Sequence, residues 1–279
     1  MMTSCIFTVI KNEHEYLDGW IQYHLKLGIN HIFIFEDYDS ESHKDICDKY
    51  DKNVSLNNIF DILNNNDKKL VKQYKINKKC NSQDIYLKKG LSYLKRYSNF
   101  YDWCFVIDND EFITLENNNL EDILSLYKDY DAIILSWKCY GANGLINKPD
   151  YSKQGIINTY ITEAKGYIPA INPTVLTKTC FNLKKYREEY YWTNHQPSDK
   201  CKFCRTNYSN NRNLKIYNNI YIKHYITKSW EEYFWKIKTR GYFIGKIKTF
   251  DFFFKVNPDM NIYKEQLIND AKNISNSSI

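Results

Sequence analysis

The stretch Phe105-Val106-Ile107-Asp108-Asn109-Asp110-Glu111-Phe112 places three carboxylates within four residues, directly after an apolar run. The apolar run reads as a buried strand. Ligands of parallel α/β sheets bind beyond the carboxyl ends of their strands, and Asp108 falls at that edge. In an extended chain Asp108 and Asp110 share one face. Two carboxylates aimed at one spot repel each other, and a divalent cation with a preference for oxygen ligands, Mg²⁺ or Mn²⁺, removes that cost. Such a cation bridges to a substrate diphosphate and stabilises it as a leaving group. The competing reading is a solvated acidic turn with Glu111 in a surface salt bridge.

The elements that would position these residues follow from periodicity. Cys5 to Ile10 reads as a first buried strand. Asn12 looks like the N-cap of a helix, with Glu15 reaching back. The helix carries Tyr16, Leu17, Trp20, Ile21, His24 and Leu25 at helical spacing and stops at Gly28. His31 to Phe35 is a second strand ending in Glu36-Asp37. This strand–helix–strand opening seeds a parallel sheet. Further along, Ser42 to Tyr50 reads as a helix, Val54 to Phe60 as a strand and the polar run Asn64 to Lys79 as a loop. Gln83 to Tyr97 is a helix, Trp103 to Ile107 a strand, Leu120 to Tyr127 a helix and Ala132 to Trp137 a strand.

After Gly141-Ala142-Asn143-Gly144 the rhythm changes. Gly155 to Thr162 and Asn219 to His224 read as short β runs between Pro-containing loops. Ser229 and Glu232 form a capping box for a helix to Arg240. The polar segment beyond Pro258 reads as a fraying tail. The expected fold class is therefore α/β: a Rossmann-like, mostly parallel sheet with helices on both faces, then a mixed C-terminal half with a terminal helix. The expected organisation is one domain over 1–260, with a ligand-binding half at 1–140 and a second half at 141–260, followed by a polar tail at 261–279.

Composition limits the partners. The 279 residues include 39 Lys and Arg against 33 Asp and Glu, a net charge of +6. That excess is mild, and acidic residues are spread throughout, which argues against a continuous nucleic-acid-binding face. The 25 Tyr accompany a general richness in Asn, Lys and Ile and serve packing more readily than base stacking. The eight Cys are scattered, several within apolar runs, as suits reduced, buried thiols. Cys201 and Cys204 with His195 and Cys180 have some zinc-site character, but a single C-x-x-C lacks its second half. The apolar run near the start is too short for a signal-peptide core, and no stretch has the length of a membrane span. The expectation is a cytoplasmic protein with no membrane span and no nucleic acid among its partners.

Three blocks carry a resemblance. "VIKNEHEYLDGWIQYHLKLGINHIFIFEDYDSES", "WCFVIDNDEFI" and "KHYITKSWEEYFWKIKTRG" resemble, in the same order, signatures of glycosyltransferase family 92 and related family-2-like enzymes of the GT-A fold. The resemblance implies a metal-dependent, inverting transfer of a sugar from a nucleotide-sugar donor, UDP-linked, to a glycan or other hydroxyl acceptor, with Mn²⁺ or Mg²⁺ as cofactor. By similarity, Lys11, Asn12 and Glu13 line the donor cleft and Asp37 contacts the nucleoside. Asp108 faces ribose and metal, Asp110 ligates the metal, and His224 is a further ligand. Lys228 and Arg240 meet phosphates. Gly144 lies in a turn that lets a sugar approach the backbone, and His195 contacts the acceptor. The base that takes the acceptor proton is Asp199 or Glu163. In "DYDSES" the chain departs from the family pattern, with Tyr38 in place of Asn and Ser42 in place of Asp. Two other functions compete. A nucleotidyltransferase would use a similar acidic site but release pyrophosphate. A non-enzymatic nucleic-acid-binding module would show steep salt dependence. His24, beside Trp20, reads as a packed core histidine.

Overall fold

A computed structural model describes residues 2–76, 82–116, 118–165, 176–206, 219–240 and 250–276. In chain order the elements are β1 (Ser4–Ile10), α1 (His14–Leu27), β2 (His31–Glu36), α2 (Lys44–Cys47), β3 (Val54–Asn58), α3 (Asn65–Ile76) and α4 (Ser82–Leu94). Then come β4 (Trp103–Val106), β5 (Glu111–Leu115), α5 (Leu120–Leu126), β6 (Ala132–Cys139), α6 (Tyr151–Thr159), β7 (Thr177–Asn182), β8 (Phe203–Thr206) and β9 (Ile220–His224). The last three are α7 (Trp230–Arg240), α8 (Phe250–Val256) and α9 (Lys264–Asn276). The described residues fall into two compact units. One lies within Met1–Asn77, Asn81–Lys138 and Ala170–His224, the other within Cys139–Pro169 and Tyr225–Ile279.

The first unit holds the sheet, ordered β3-β2-β1-β4-β7-β6-β9-β5, with β8 paired to β6. β3, β2, β1 and β4 run parallel, as the strand–helix–strand opening requires. Beyond β4 the expectation of a mostly parallel sheet fails. β7 is antiparallel to both β4 and β6, and β5 is antiparallel to β9, while β8 is parallel to β6. β7, reached from β6 through a stretch that includes α6, lies between β4 and β6 in the sheet and runs opposite to both.

One face of the parallel half carries Cys5, Phe7, Phe33, Phe35, Cys104 and Val106, packed against Tyr86, Leu87, Leu91 and Leu94 of α4 and Val71 of α3. The alternate row, Ile6, Ile32, Ile34 and Phe105, is equally buried, so both faces are covered. Helix α1 ends at Gly28 with φ 107°, the left-handed stop read from the sequence. Its inner side holds β5 in place through three bonds: Trp20 Nε1 donates to Glu111 O at 2.8 Å, Tyr23 OH donates to Ile113 O at 2.7 Å, and His24 Nε2 accepts from Ile113 N at 3.2 Å.

Four local expectations are corrected. Asn12 is not a helix cap: it adopts φ 54°, and its Oδ1 accepts from Glu41 N at 2.9 Å, tying the loop after β1 to the loop after β2. The polar run from Asn64 forms α3 up to Ile76, and the rest of that run, Asn77 to Lys79, lies outside the described residues. The run read as a strand at Gly155 is α6, kinked at Gly155 with φ 66°. The segment read as a fraying tail contains α9, whose Leu267 and Ala271 pack with Trp230, Tyr233, Phe253 and Phe254 in the core of the second unit. The capping box at Ser229 holds: Glu232 N donates to Ser229 Oγ and Ser229 N to Glu232 Oε2, both at 3.3 Å. No described helix is long and apolar enough to cross a membrane.

Two glycines test this packing with opposite signs. A Cβ on Gly90 would meet the Phe7 ring at 2.0 Å, whereas one on Gly19 would meet nothing within 4 Å. Gly90→Ala is expected to destabilise by about 1–3 kcal/mol, since overpacking outweighs the helix-propensity gain. Gly19→Ala, on the exposed side of α1, should stabilise by up to about 1 kcal/mol. Urea denaturation of the two variants checks both signs.

His24 gives a pH test. Its Nδ1–H donates to Trp20 O at 2.9 Å and its Nε2 accepts from Ile113, so the neutral ring fits and the cation does not. Burial pushes its pKa from 6.5 down to about 3, opposed only in part by Trp20 O. The folded pKa lies below the unfolded one, so this contribution is complete above the unfolded pKa and is lost as pH falls toward the folded one. Unfolding free energy should fall by about 1.4 kcal/mol per pH unit from this group below its unfolded pKa. His24→Gln should lack that component of the slope in denaturation curves taken across the same range.

Candidate metal and nucleotide site

The acidic stretch is a turn, not an extended strand end. Glu111 N donates to Asp108 O at 3.1 Å, and the Glu111 side chain folds back so that its Oε2 accepts from Asp108 N at 3.0 Å. The chain thus reverses from β4 into β5. Glu111 is fully buried, which speaks against the competing reading of a solvated turn with Glu111 in a surface salt bridge.

The ladder between β5 and β9 sets Glu111 opposite His224. Single ligand atoms of Asp110, Glu111 and His224 all lie within 4.8 Å of one another, and all three residues are buried. His224 Nε2 stands 3.8 Å from Asp110 Oδ1. The His224 ring packs on the Trp137 indole at a centroid distance of 4.2 Å, and His195 meets the same indole edge-on at 5.2 Å. Two buried atoms of this group, Glu111 Oε1 and Trp137 Nε1, have no hydrogen-bond partner among the described residues. Buried polar atoms are almost always satisfied, so each orphan calls for a cause. For Glu111 Oε1 a cation supplies one. Two carboxylates and an imidazole, one oxygen already stripped of partners, are a donor set that fits Mn²⁺ or Mg²⁺.

Asp108 is not a member of that cluster. Its Oδ2 accepts from Lys178 Nζ at 2.7 Å and its Oδ1 from Gln83 Nε2 at 3.3 Å. The same ammonium is 3.4 Å from Glu111 Oε2. Lys178 lies on β7 and is 1% exposed. Burial works against its charge, but Asp108 and Glu111 outweigh burial and raise its pKa. Burial likewise disfavours the Asp108 anion, yet Lys178 prevails and holds that carboxyl below the usual range. For Glu111 the balance goes the other way. Burial comes first, Lys178 offsets part of it, and the neighbouring Asp108 and Asp110 add to it, leaving the pKa well above the usual carboxylate range.

The remaining expected donor residues sit along the same edge. Parallel β2 and β4 flank β1, so Asp37 and Asp108 leave the sheet on one side. Asp37 is buried, with its Oδ1 accepting from Tyr86 OH and from Tyr38 N, both at 2.8 Å. Lys11 pairs with Asp39 at 2.7 Å. Glu13 is buried and its N–H donates to His43 Nε2 at 2.9 Å. His195 donates from Nδ1 to Thr177 O at 2.7 Å; burial and then the charge of Lys178 lower its pKa to about 4, so its ring is neutral.

Asp199 is exposed in the turn leading into β8. β8 begins at Phe203 opposite Ala132, at the sheet edge remote from Asp108. That position does not suit a base acting at the cluster. Glu163 and Gly144 belong to the second unit. Glu163 is exposed beside a cleft lined also by Gly141, Asn143, Lys165 and Asp259, and Gly144 occupies a left-handed turn position at φ 76°. Lys228, also there, is buried with φ 55°. Arg240 ends α7, and its side chain lies outside the described residues. Cys201 is a packed thiol whose pKa burial pushes up to about 12.

Sequence reasoning missed Glu111 as a ligand candidate and missed Lys178 altogether. For Glu111 the signal was present, because it completes the acidic run. For Lys178 the one hint was a lysine inside an alternating run, Val175-Leu176-Thr177-Lys178-Thr179-Cys180.

The sequence matches no protein-family model, and no match to it is found among curated proteins. Solved structures match at low identity. The mannosyltransferase Ktr4p from S. cerevisiae in complex with GDP is 10% identical with a TM-score of 0.29, over 48% of this chain and 40% of that one. S. aureus TarS 1–349 is 11% identical with a TM-score of 0.40, over 93% and 72%. Glucosyl-3-phosphoglycerate synthase from Mycobacterium tuberculosis, in complex with Mn²⁺, UDP and phosphoglyceric acid, is 10% identical with a TM-score of 0.30, over 66% and 56%. These likenesses are shallow, and the chemistry of the site follows from its own residues.

Tyr86→Phe isolates the support of Asp37. It removes one donor to a buried carboxylate and nothing else of the side chain's shape. Urea denaturation should show a loss of about 1–2 kcal/mol; an unchanged midpoint would mean that Asp37 finds another donor without cost.

Proposed function

We propose that this protein is a divalent-cation-dependent glycosyltransferase. It moves a sugar from a nucleoside-diphosphate donor, UDP-linked, to a hydroxyl of a glycan or other acceptor, with inversion. The observation that carries the reading is the buried Asp110–Glu111–His224 cluster with its partnerless Glu111 Oε1, beside the carboxyl edge of the parallel strands. The three sequence blocks that resemble the family supply the reaction class.

When bound, the cation neutralises charge that develops on the departing diphosphate. The chain's own residues prepare for that moment. Asp110 and Glu111 hold anionic oxygens where the cation is needed, and the β5–β9 ladder fixes His224 across from them. Asp37, oriented by Tyr86, is the group for the nucleoside. Lys11, Asn12 and Glu13 follow β1 on the same side as Asp37. The indole of Trp137 and the neutral ring of His195 exclude water from one side of the cluster. His195 is kept as an acceptor-contacting group. Asp199 is set aside as the base because of its place at the opposite edge. Glu163 as the candidate base, and the roles assigned by resemblance to Gly144, Lys228 and Arg240, are each testable by their own variants.

Asp110→Asn is the central test. The substitution keeps the shape and removes one anionic oxygen. Donor turnover with Mn²⁺ should fall about a hundredfold or more. The melting temperature should hold or rise, because Asp110 adds repulsion to both Asp108 and Glu111. Near-normal turnover by the well-folded variant would remove the chemical centre of the reading. Product analysis of the wild type separates the competing reaction: a nucleoside diphosphate supports glycosyl transfer, and pyrophosphate overturns it in favour of nucleotidyl transfer.

A further inference from the structure

A fixed cation already occupies the middle of the acidic turn. The Lys178 ammonium stands 2.7 Å from Asp108 Oδ2 and 3.4 Å from Glu111 Oε2. At 1% exposure it has no room to swing toward solvent when another charge arrives, and it cannot touch a substrate itself. Glu111 is shared: one oxygen faces the ammonium, while the other, Oε1, has no hydrogen-bond partner among the described residues and belongs to the Asp110–Glu111–His224 group. A divalent ion held by Glu111 would therefore sit a few ångströms from a positive charge that cannot leave.

We propose that Lys178 is a resident counter-ion that keeps the affinity of the site for a free divalent cation low, so that the cation is held firmly only together with an anionic diphosphate. The proposal rests on the cation-site reading above and adds an order to it. Like charges at this separation inside a protein repel strongly, because burial weakens dielectric screening. A diphosphate reverses the balance. Its negative charge is attracted both by the divalent ion and by the field of Lys178, so ion and nucleotide each strengthen the binding of the other, and that coupling is reciprocal. The arrangement also protects the empty enzyme. Without Lys178 the mutual repulsion of Asp108, Asp110 and Glu111 would rise, and the site would take up any available divalent ion.

The test measures Mn²⁺ binding to the full-length protein by electron paramagnetic resonance of the free ion, with and without UDP. Wild type should bind Mn²⁺ weakly alone and about tenfold or more tightly with saturating UDP. Lys178→Met fills the space with a neutral chain of similar length. Lys178→Gln keeps a hydrogen-bond donor toward Asp108 without the charge. Either variant, whichever folds, should bind Mn²⁺ alone about tenfold or more tightly than wild type, so that the ion is held without UDP. A purely structural role for Lys178 would leave Mn²⁺ affinity unchanged or lower it, and that result overturns the proposal. If neither wild type nor variants bind Mn²⁺ under any condition, the cation-site reading fails with it. If all bind Mn²⁺ equally, the cation site stands and the role of Lys178 alone is refuted.

Discussion

Three carboxylates within four residues close a buried strand, and a single buried ammonium, Lys178, stands against two of them at 2.7 and 3.4 Å. Taking an isolated ion out of water costs several kcal/mol even after the protein relaxes, so neither the turn nor the lysine could be buried alone. Their pairing decides the protonation of the whole group. Burial opposes both anions: at Asp108 the ammonium prevails and draws the carboxyl below the usual range, while at Glu111 burial, helped by two anionic neighbours, outweighs the ammonium and pushes it above. Two carboxyl groups three residues apart thus differ in character because Glu111 is fully buried and the lysine lies closer to the less buried Asp108. The nearer one is committed to structure. The farther one keeps an oxygen available for another cation.

That pairing explains why the sheet changes direction where it does. A strand parallel to β4 at this place would need a crossover helix and would carry its own carboxyl end, with its own loop, to the same edge. β7 enters antiparallel instead, so its amino-terminal residues Thr177 and Lys178 arrive at the edge where Asp108 leaves. The β5–β9 hydrogen bonds then bring His224 opposite Glu111. Helix α1 secures β5 from behind through Trp20, Tyr23 and His24. The first crossover helix of the parallel half is thereby also a brace for the acidic cluster, and a change in its buried face would be felt at Glu111.

The sequence made the parallel half legible because its signals are local. Buried runs such as Cys5 to Ile10 have the length of strands, helices are marked by periodic apolar residues, and Gly28 supplies a left-handed stop. The capping box at Ser229 was readable for the same reason: four adjacent residues contain both partners. The failures are equally physical. α3 is strongly polar overall, offering Val71 to the core from a run dominated by Asn, Asp, Lys and Gln, and a polar helix looks like a loop. Gly155 breaks α6 with a positive φ, which disguised a helix as a β run. α9 buries Leu267 and Ala271 at a spacing of four among polar residues, a stripe easily mistaken for a disordered end. Asn12 has the residue type of a cap but spends its side chain on the neighbouring loop, at Ser40 and Glu41.

The site was half legible, and the division follows sequence separation. Asp108, Asp110 and Glu111 lie together in the chain and announce themselves as charge that must be compensated. What compensates them is 70 residues away from Asp108, in a strand whose alternation of Thr, Lys, Thr and Cys looks like any half-exposed edge. A lysine in such a run is ordinarily placed on the solvent side. Here the row that carries Lys178 also carries Cys180, paired with Phe105 in the interior of the sheet, so its side chain points into the protein and must find anions there. An acidic turn after a buried strand therefore poses two questions. One is which ion it takes from solution. The other is which cation of its own the chain has already brought, because that second charge determines how much of the first remains to be satisfied.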